Sequence, residues 1–188
     1  MIKRELYMNR IRPFIGGELI KVMTGIRRSG KSVMLELIKE ELAEAGVAPS
    51  QMISINFEDM RYSHLQTATA LHDEIIKRAE GIEGKAYLFF DEIQEVEGWE
   101  KCVNSLRVAL DCDIYITGSN AKLLSGELAT YIGGRYVEFV IYPFSFAEFL
   151  ELYHTIAPSD SIQQCFQKYL LAGGMPYLAN LRYEAVSY

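Results

Sequence analysis

An α/β fold, with a parallel sheet layered between helices, is the architecture this sequence predicts, and three observations predict it. Short apolar runs alternate with longer amphipathic stretches along most of the 188 residues. One run, Ala86 to Phe90, is apolar without a break, as a strand buried on both faces requires. A glycine-bounded turn, Gly25 to Gly30, links an apolar run to a helical pattern, the order expected of a parallel strand–turn–helix unit.

The first strand is expected over Leu19–Thr24, closed by Gly25. From Lys31 to Ala45, Met34, Leu37, Ile38, Leu42 and Ala45 fall on one helical face, with Glu41 a polar exception, and Gly46 and Pro49 supply the stop. Met52–Phe57 reads as the second strand. Leu65, Ala68, Leu71, Ile75, Ile76 and Ala79 form the stripe of a second helix that ends at Gly81. Ala86–Phe90 is the third strand, Trp99, Cys102, Val103, Leu106 and Leu110 mark a third helix, and Asp113–Thr117 and Tyr136–Tyr142 are the fourth and fifth strands.

The texture changes after Pro143. Phe146, Phe149, Leu150 and Tyr153 line one helical face, where the aromatic rings read as core. Ser161-x-x-Gln164 has the form of a capping box, and Gly173-Gly174-Met175-Pro176 ends the helix that it opens. Residues 1–143 are therefore expected to form the sheet-and-helix core and residues 144–188 a small C-terminal helical annex.

Composition narrows the classes of function. Hydrophobic residues make up 49% and charged residues 23%, an ordinary globular balance that argues against disorder. A net charge of -6 disfavours broad, non-specific nucleic-acid binding, although a local basic patch is compatible with it. Cys102, Cys112 and Cys165 are scattered, without the spacing of a metal site, and read as buried thiols in a reducing compartment. The N-terminus carries charges where a secretory signal would be apolar, and no segment has the roughly 18 apolar residues of a membrane span. A cytoplasmic protein with no membrane partner is the expectation.

Gly25-Ile26-Arg27-Arg28-Ser29-Gly30-Lys31-Ser32 matches G-x-x-x-x-G-K-[ST], the phosphate-binding P-loop. The spacing has a physical basis. Two glycines let the backbone curl until successive amides face phosphate oxygens, and the following helix adds the positive end of its dipole. The nucleotide-binding stretch is taken as Gly25, Ile26, Arg27, Arg28, Ser29, Gly30, Lys31, Ser32 and Val33, with Lys31 on the terminal phosphates and the Ser32 hydroxyl on Mg2+. The predicted fold is thus a P-loop NTPase three-layer sandwich around a five-stranded parallel sheet. G-x-G-x-x-G is absent at this turn, which disfavours a dinucleotide site.

Lys85 to Phe90 leads into Asp91-Glu92 at a strand end that faces the ligand crevice of a parallel sheet. Asp91 is the candidate metal-holding carboxylate, and Glu92 the candidate for polarising the attacking water. Asn120, with Ser119 beside it, follows the fourth strand, where an amide or hydroxyl can contact the terminal phosphate or orient the water; a plain turn is the competing reading. Arg135, after Gly133-Gly134, is a candidate to neutralise charge on the transferred phosphate, within the chain or across a subunit boundary; a surface arginine beside a tight turn is its competitor. Arg10, Arg12, Pro13 and Phe14 precede the first strand and are candidates to shape a base pocket.

With these motifs in this order the chain resembles AAA-type ATPases. It is similar in particular to a prokaryotic group whose loop reads G-x-R-R-x-G-K-[ST] and which also carries Tyr142-Pro143-Phe144-Ser145-Phe146-x-x-Phe149-Leu150 and Gly173-Gly174-Met175-Pro176. The resemblance spans roughly residues 5 to 180. It implies a sheet with the loop strand central, ATP and Mg2+ as ligands, Glu92 as the hydrolytic carboxylate, Asn120 or Ser119 as a sensor and Arg135 as a finger. It also implies a further C-terminal domain, so the annex is expected to be a truncated part, a shortened member of the group being the alternative.

The function expected is ATP hydrolysis with Mg2+ that drives a conformational switch on a protein or DNA client, ADP being the product, with self-assembly into a homo-oligomer open. The alternatives are a nucleotide-dependent interaction module without turnover and a small-molecule kinase. The annex lacks the arginine cluster a kinase lid would need, and no Asn-Lys-x-Asp motif supports a guanine-nucleotide switch.

Overall fold

The computed structural model describes residues 2–119, 132–156 and 158–176. Five parallel strands form one sheet: β1 (Ile20–Thr24), β2 (Met52–Asn56), β3 (Ala86–Asp91), β4 (Cys112–Thr117) and β5 (Tyr136–Val140), in the order β2-β3-β4-β1-β5. The order corrects one expectation. The loop-bearing strand β1 is interior, flanked by β4 and β5, but the middle of the sheet is β4. Apolar runs identify buried strands without ranking their positions, because β1 and β4 are buried almost equally along their lengths.

Alternation of side chains sorts the strands onto two faces. Ile20, Val22, Ile53, Ile55, Leu88, Phe90, Ile114 and Ile116 point to one side, where α3 (Ala68–Ala79) and α4 (Trp99–Ala109) cover them with Leu71, Ile75, Cys102, Val103 and Leu106. Met23, Phe89, Tyr115 and Phe139 point to the other, beneath α1 (Glu5–Ile11) and α2 (Lys31–Glu44), which contribute Tyr7, Met8, Ile11, Met34, Leu35, Ile38 and Leu42. The expected three layers are present.

Two local departures have clear causes. The stripe read as one helix from Leu65 is interrupted: Met60–Leu65 is a 3₁₀ turn, and α3 starts after Thr67, whose hydroxyl accepts from Ala70 N at 3.3 Å as an N-cap. Helix α1 has no counterpart in the sequence reading, since seven residues with three buried side chains give too short a period to detect.

The annex is α5 (Phe146–Ile156) and α6 (Ile162–Ala172), the latter opened by the expected capping box between Ser161 and Gln164. Phe149 and Tyr153 are core as read, packed with Phe144, Ile2 and Cys165, while Phe146 and Leu150 are partly buried against them. Gly174 explains why a glycine stands there: a Cβ would lie 2.1 Å from the carbonyl oxygen of Phe144, whose N–H donates to the Gly174 carbonyl at 2.6 Å. Cys102 and Cys165 are buried and Cys112 half-buried; burial pushes the Cys102 thiol up to about 12 and that of Cys112 up to about 11, so neither is a nucleophile at neutral pH.

Candidate nucleotide-binding site

The last residue of each of four strands is polar: Thr24, Asn56, Asp91 and Thr117. Parallel strands bring these four to one edge of the sheet, the edge from which the phosphate loop rises. Asp91 is their hub. Thr117 donates its hydroxyl to Asp91 Oδ1, and Asn56 Nδ2 donates to Oδ2 at 3.2 Å. Burial pushes the Asp91 carboxyl above its ordinary value and Glu92 adds to the effect; hydrogen bonds from Thr117 and Ser32 and the charge of Lys31 oppose it without cancelling it. Since β4 lies between β1 and β3, Asp91 reaches the loop across Thr117 and meets it at Ser32.

The loop from Gly25 to Gly30 leads into α2, whose first residue, Lys31, is 4% exposed. Lys31 Nζ lies 3.4 Å from the Gly25 carbonyl, 3.3 Å from that of Ile26 and 3.5 Å from Glu92 Oε1. These are long contacts for an ammonium, which phosphate oxygens can replace on better terms. Ser29 Oγ is buried with no hydrogen-bond partner among the described residues. Arg27, Arg28, Gly30, Lys31, Ser32, Val33, Glu58 and Glu92 line a cleft of about 460 Å³, and the annex closes one side of it with Pro176. An unpaired buried hydroxyl, an ammonium on weak carbonyl contacts and a carboxylate beside a serine fit a nucleotide with its Mg2+. Ser32 and Asp91 are the residues that would hold the metal.

Glu92 follows the last residue of β3 with φ 55, and its N–H donates to Thr117 Oγ1 at 3.0 Å. Its other oxygen accepts from Gln94 Nε2 at 2.5 Å, while Gln94 Oε1 is buried without a partner among the described residues. Among the described residues three non-glycines have positive φ: Arg4, Arg28 and Glu92. Arg28 and Glu92 line the cleft and Arg4 bonds to the loop that forms it, and such backbone costs about 1–3 kcal/mol where the surroundings impose it.

Gly25 is required by its neighbours. Its φ is 146, and a Cβ there would lie 2.2 Å from the carbonyl oxygen of Ile141. Gly25→Ala is expected to force the loop off the end of β5, lowering the thermal midpoint and weakening nucleotide binding together; a variant with wild-type stability and affinity would refute the close approach.

Other expected site residues are placed differently. Arg27 is exposed and pairs with Glu58 at 3.2 Å, a surface contact of little energetic weight. Ser119 is half-buried just beyond β4, next to Gly118, whose N–H is 3.3 Å from the Met23 carbonyl; Asn120 lies outside the described residues. Arg135 precedes β5, so it stands at the opposite edge of the sheet, bonded through Nη1 to Asn104 Oδ1 at 3.0 Å. Five strand residues, roughly 17 Å, separate it from the loop edge, which corrects the reading of a finger within its own chain. Arg12 is engaged by Glu5 and Glu41, each at 2.8 Å, and Phe14 packs edge-on against Phe139; neither lines the cleft. Sequence reasoning misses Asn56, Thr117, Gln94 and Arg4. For Asn56 and Thr117 a signal is present, as a polar residue closing an apolar strand; for Gln94 and Arg4 there is none.

The profile of a family described as "AAA domain" matches residues 18–150. An uncharacterized protein of Haemophilus influenzae is 44% identical over 176 residues, 94% of this chain and 44% of the relative. One from Methanocaldococcus jannaschii is 36% identical over 166 residues, 84% of this chain and 35% of the relative. The chain thus spans less than half the length of these relatives. Among solved structures it is similar in fold to AMPPCP-bound DnaA from Aquifex aeolicus, with TM-score 0.62 and 14% identity over 96% of this chain and 59% of that one. A RuvB mutant of Thermotoga maritima gives TM-score 0.61 and 16% identity over 96% and 59%. Orc1 of Aeropyrum pernix in complex with DNA gives 0.56 and 18% over 84% and 50%.

Proposed function

Because this chain belongs to the AAA domain family, matched over residues 18–150, we propose that it binds ATP in the cleft above β1 and hydrolyses it with Mg2+. The observation that carries the reading is that the start of α2 brings Lys31 and Ser32, and the end of β3 brings Glu92, to one cleft, with Asp91 meeting Ser32 behind them. The amides of Gly25 to Gly30 cradle the phosphates, and Lys31 exchanges its carbonyl contacts for the terminal phosphates. Glu92 orients and polarises the attacking water. Ser32, through its hydroxyl, and Asp91, through its carboxylate, would hold Mg2+, which would neutralise charge on the phosphates.

Pro176 gives the annex a wall in the same cleft, so nucleotide occupancy is felt there, and the cycle is read as a switch acting on a partner. The client is a protein or DNA. Orc1 was solved on DNA, while the net charge of -6 leans this chain toward protein. Arg135, remote from its own loop, suits a role in a neighbouring copy of the chain, with Ser119 or Asn120 sensing the terminal phosphate. No described helix is long and apolar enough to cross a membrane, and a cytoplasmic setting is part of the proposal. A second reading, nucleotide binding that orders an interaction surface without turnover, draws on the exposed Ile162, Phe166 and Leu170 spaced along α6.

Phosphate release from ATP and GTP, with and without Mg2+, tests the first reading. ATP turnover that Lys31→Ala abolishes is the expected result. Tight, Lys31-dependent ATP binding without turnover would favour the second reading, and no Lys31-dependent binding would overturn both.

A further inference from the structure

Arg4 belongs to none of the motifs, yet it is 2% exposed and all three guanidinium nitrogens are engaged. Nη1 donates to the Ser29 carbonyl in the phosphate loop at 2.9 Å, Nη2 to the Tyr142 carbonyl just past β5 at 2.8 Å, and Nε to Glu148 on α5 at 2.8 Å. Its guanidinium lies 4.6 Å from the ring centroid of Tyr7 and 5.2 Å from that of Phe144. Glu148 is itself oriented by the N–H and hydroxyl of Ser145, at 2.8 and 3.0 Å. The Arg4 backbone is left-handed, φ 46 and ψ 47, which an arginine keeps only where its surroundings dictate it. A helix cap or a surface ion pair needs none of this; the arrangement is a socket built for a planar cation.

Peptide planarity connects the socket to the nucleotide. The Ser29 carbonyl and the Gly30 N–H belong to one trans peptide and point in opposite directions. Fastening the oxygen outward onto Arg4 turns the Gly30 N–H to the other side, and Gly30 lines the cleft. We propose that Arg4 is a positioning residue of the nucleotide site, which aims the Gly30 amide at the phosphates and, through Glu148, couples that alignment to the annex. The proposal rests on the nucleotide reading above. Lysine cannot substitute, because a single ammonium cannot present a flat fork to three divergent acceptors.

The test is equilibrium binding of Mg·ATP to the wild-type chain, Arg4→Lys and Glu148→Gln at a temperature where each is folded, with NMR-detected amide exchange on the same samples. Arg4→Lys is expected to weaken ATP binding about tenfold or more, as loss of a charge-assisted hydrogen bond would. It should also speed exchange at Gly30 and raise KM more than it lowers kcat. Glu148→Gln keeps a side-chain oxygen for the guanidinium and leaves its bond to Ser29 in place, so the loss of this buried charge pair should fall on folding stability, and affinity should stay within about threefold. That variant should lose the protection of α5 that ATP confers on the wild type. Wild-type affinity and unchanged Gly30 exchange in Arg4→Lys overturn the proposal, even if that variant melts earlier, since the role would then be structural only. Should Arg4→Lys not fold, Glu148→Gln decides, because wild-type protection of α5 by ATP would overturn the coupling. If the wild type binds no ATP, the nucleotide reading fails on its own, and Gly30 exchange in Arg4→Lys still decides for Arg4 if faster and against it if unchanged.

Discussion

Glu92→Gln is expected to bind ATP at least as tightly as the wild type and to lose turnover by roughly 10²–10⁴-fold, the usual contribution of a positioned general base. The two effects have different origins at the same carboxylate. Glu92 Oε1 is 3.5 Å from Lys31 Nζ, so without nucleotide it holds the cation that the phosphates need. Glutamine removes that competing charge and should favour binding. The amide keeps the shape, and the backbone bond from Glu92 N to Thr117 Oγ1 is untouched, so the site should hold its geometry. What the amide cannot do is take a proton from water. Phosphate release and binding of a fluorescent ATP analogue, measured on the same preparation, separate the effects. Turnover unchanged within a few-fold would remove Glu92 from the chemistry, and turnover lost together with binding would make its role the placement of Lys31.

The parts of this site that can be read from sequence are those whose physics is local. The loop is eight consecutive residues whose glycine and lysine spacing follows from backbone curl, and it stands where expected between β1 and α2. Asp91 and Glu92 are legible because an apolar run that stops at two carboxylates marks a buried strand emerging at a polar edge. What stays hidden depends on contacts between distant positions. Arg4 meets Glu148 across 144 positions, and in the sequence it is one more charge near the N-terminus. Thr117 reads as the end of a strand until the sheet order sets it between Asp91 and β1. Arg135 reads as a candidate because it follows a Gly-Gly turn at the start of a strand, yet parallel pairing of that strand with β1 sends its start to the far edge. Sheet order, and with it the distance from the cleft, is a property of pairing that no window along the chain contains.

Asp113→Asn is expected to cost about 3–5 kcal/mol of stability, the range for breaking a buried ion pair from one side. Both partners are fully buried at the edge of the sheet away from the nucleotide: Asp113 takes the Lys21 ammonium on Oδ1, and Gly16 N and the Tyr115 hydroxyl on Oδ2, each at 2.7 Å. Asparagine can keep one of the neutral donors but not the charge, which leaves Lys21 with the Gly17 carbonyl at 3.0 Å. Lys21 would then lose its proton, which at pH 7 costs about 4–5 kcal/mol for a group that ordinarily titrates near 10.4. That bound agrees with the range above. The sign of the pH dependence follows. Burial already holds Lys21 below its ordinary 10.5 against the pull of Asp113, so the unfolded chain binds the proton more tightly. Stability therefore rises with pH between the lowered folded value and 10.5, and more steeply in Asp113→Asn, whose Lys21 sits lower still. Adding Lys21→Met to Asp113→Asn removes the stranded cation and should recover more than about 1 kcal/mol, a coupling that two independent sites would not show. Urea unfolding of the wild type, Asp113→Asn, Lys21→Met and the double variant at pH 7 and pH 9 measures all of this. A loss below about 1 kcal/mol in Asp113→Asn, the ordinary size of a lost neutral hydrogen bond, would mean that the pair contributes little beyond the contacts its neighbours keep.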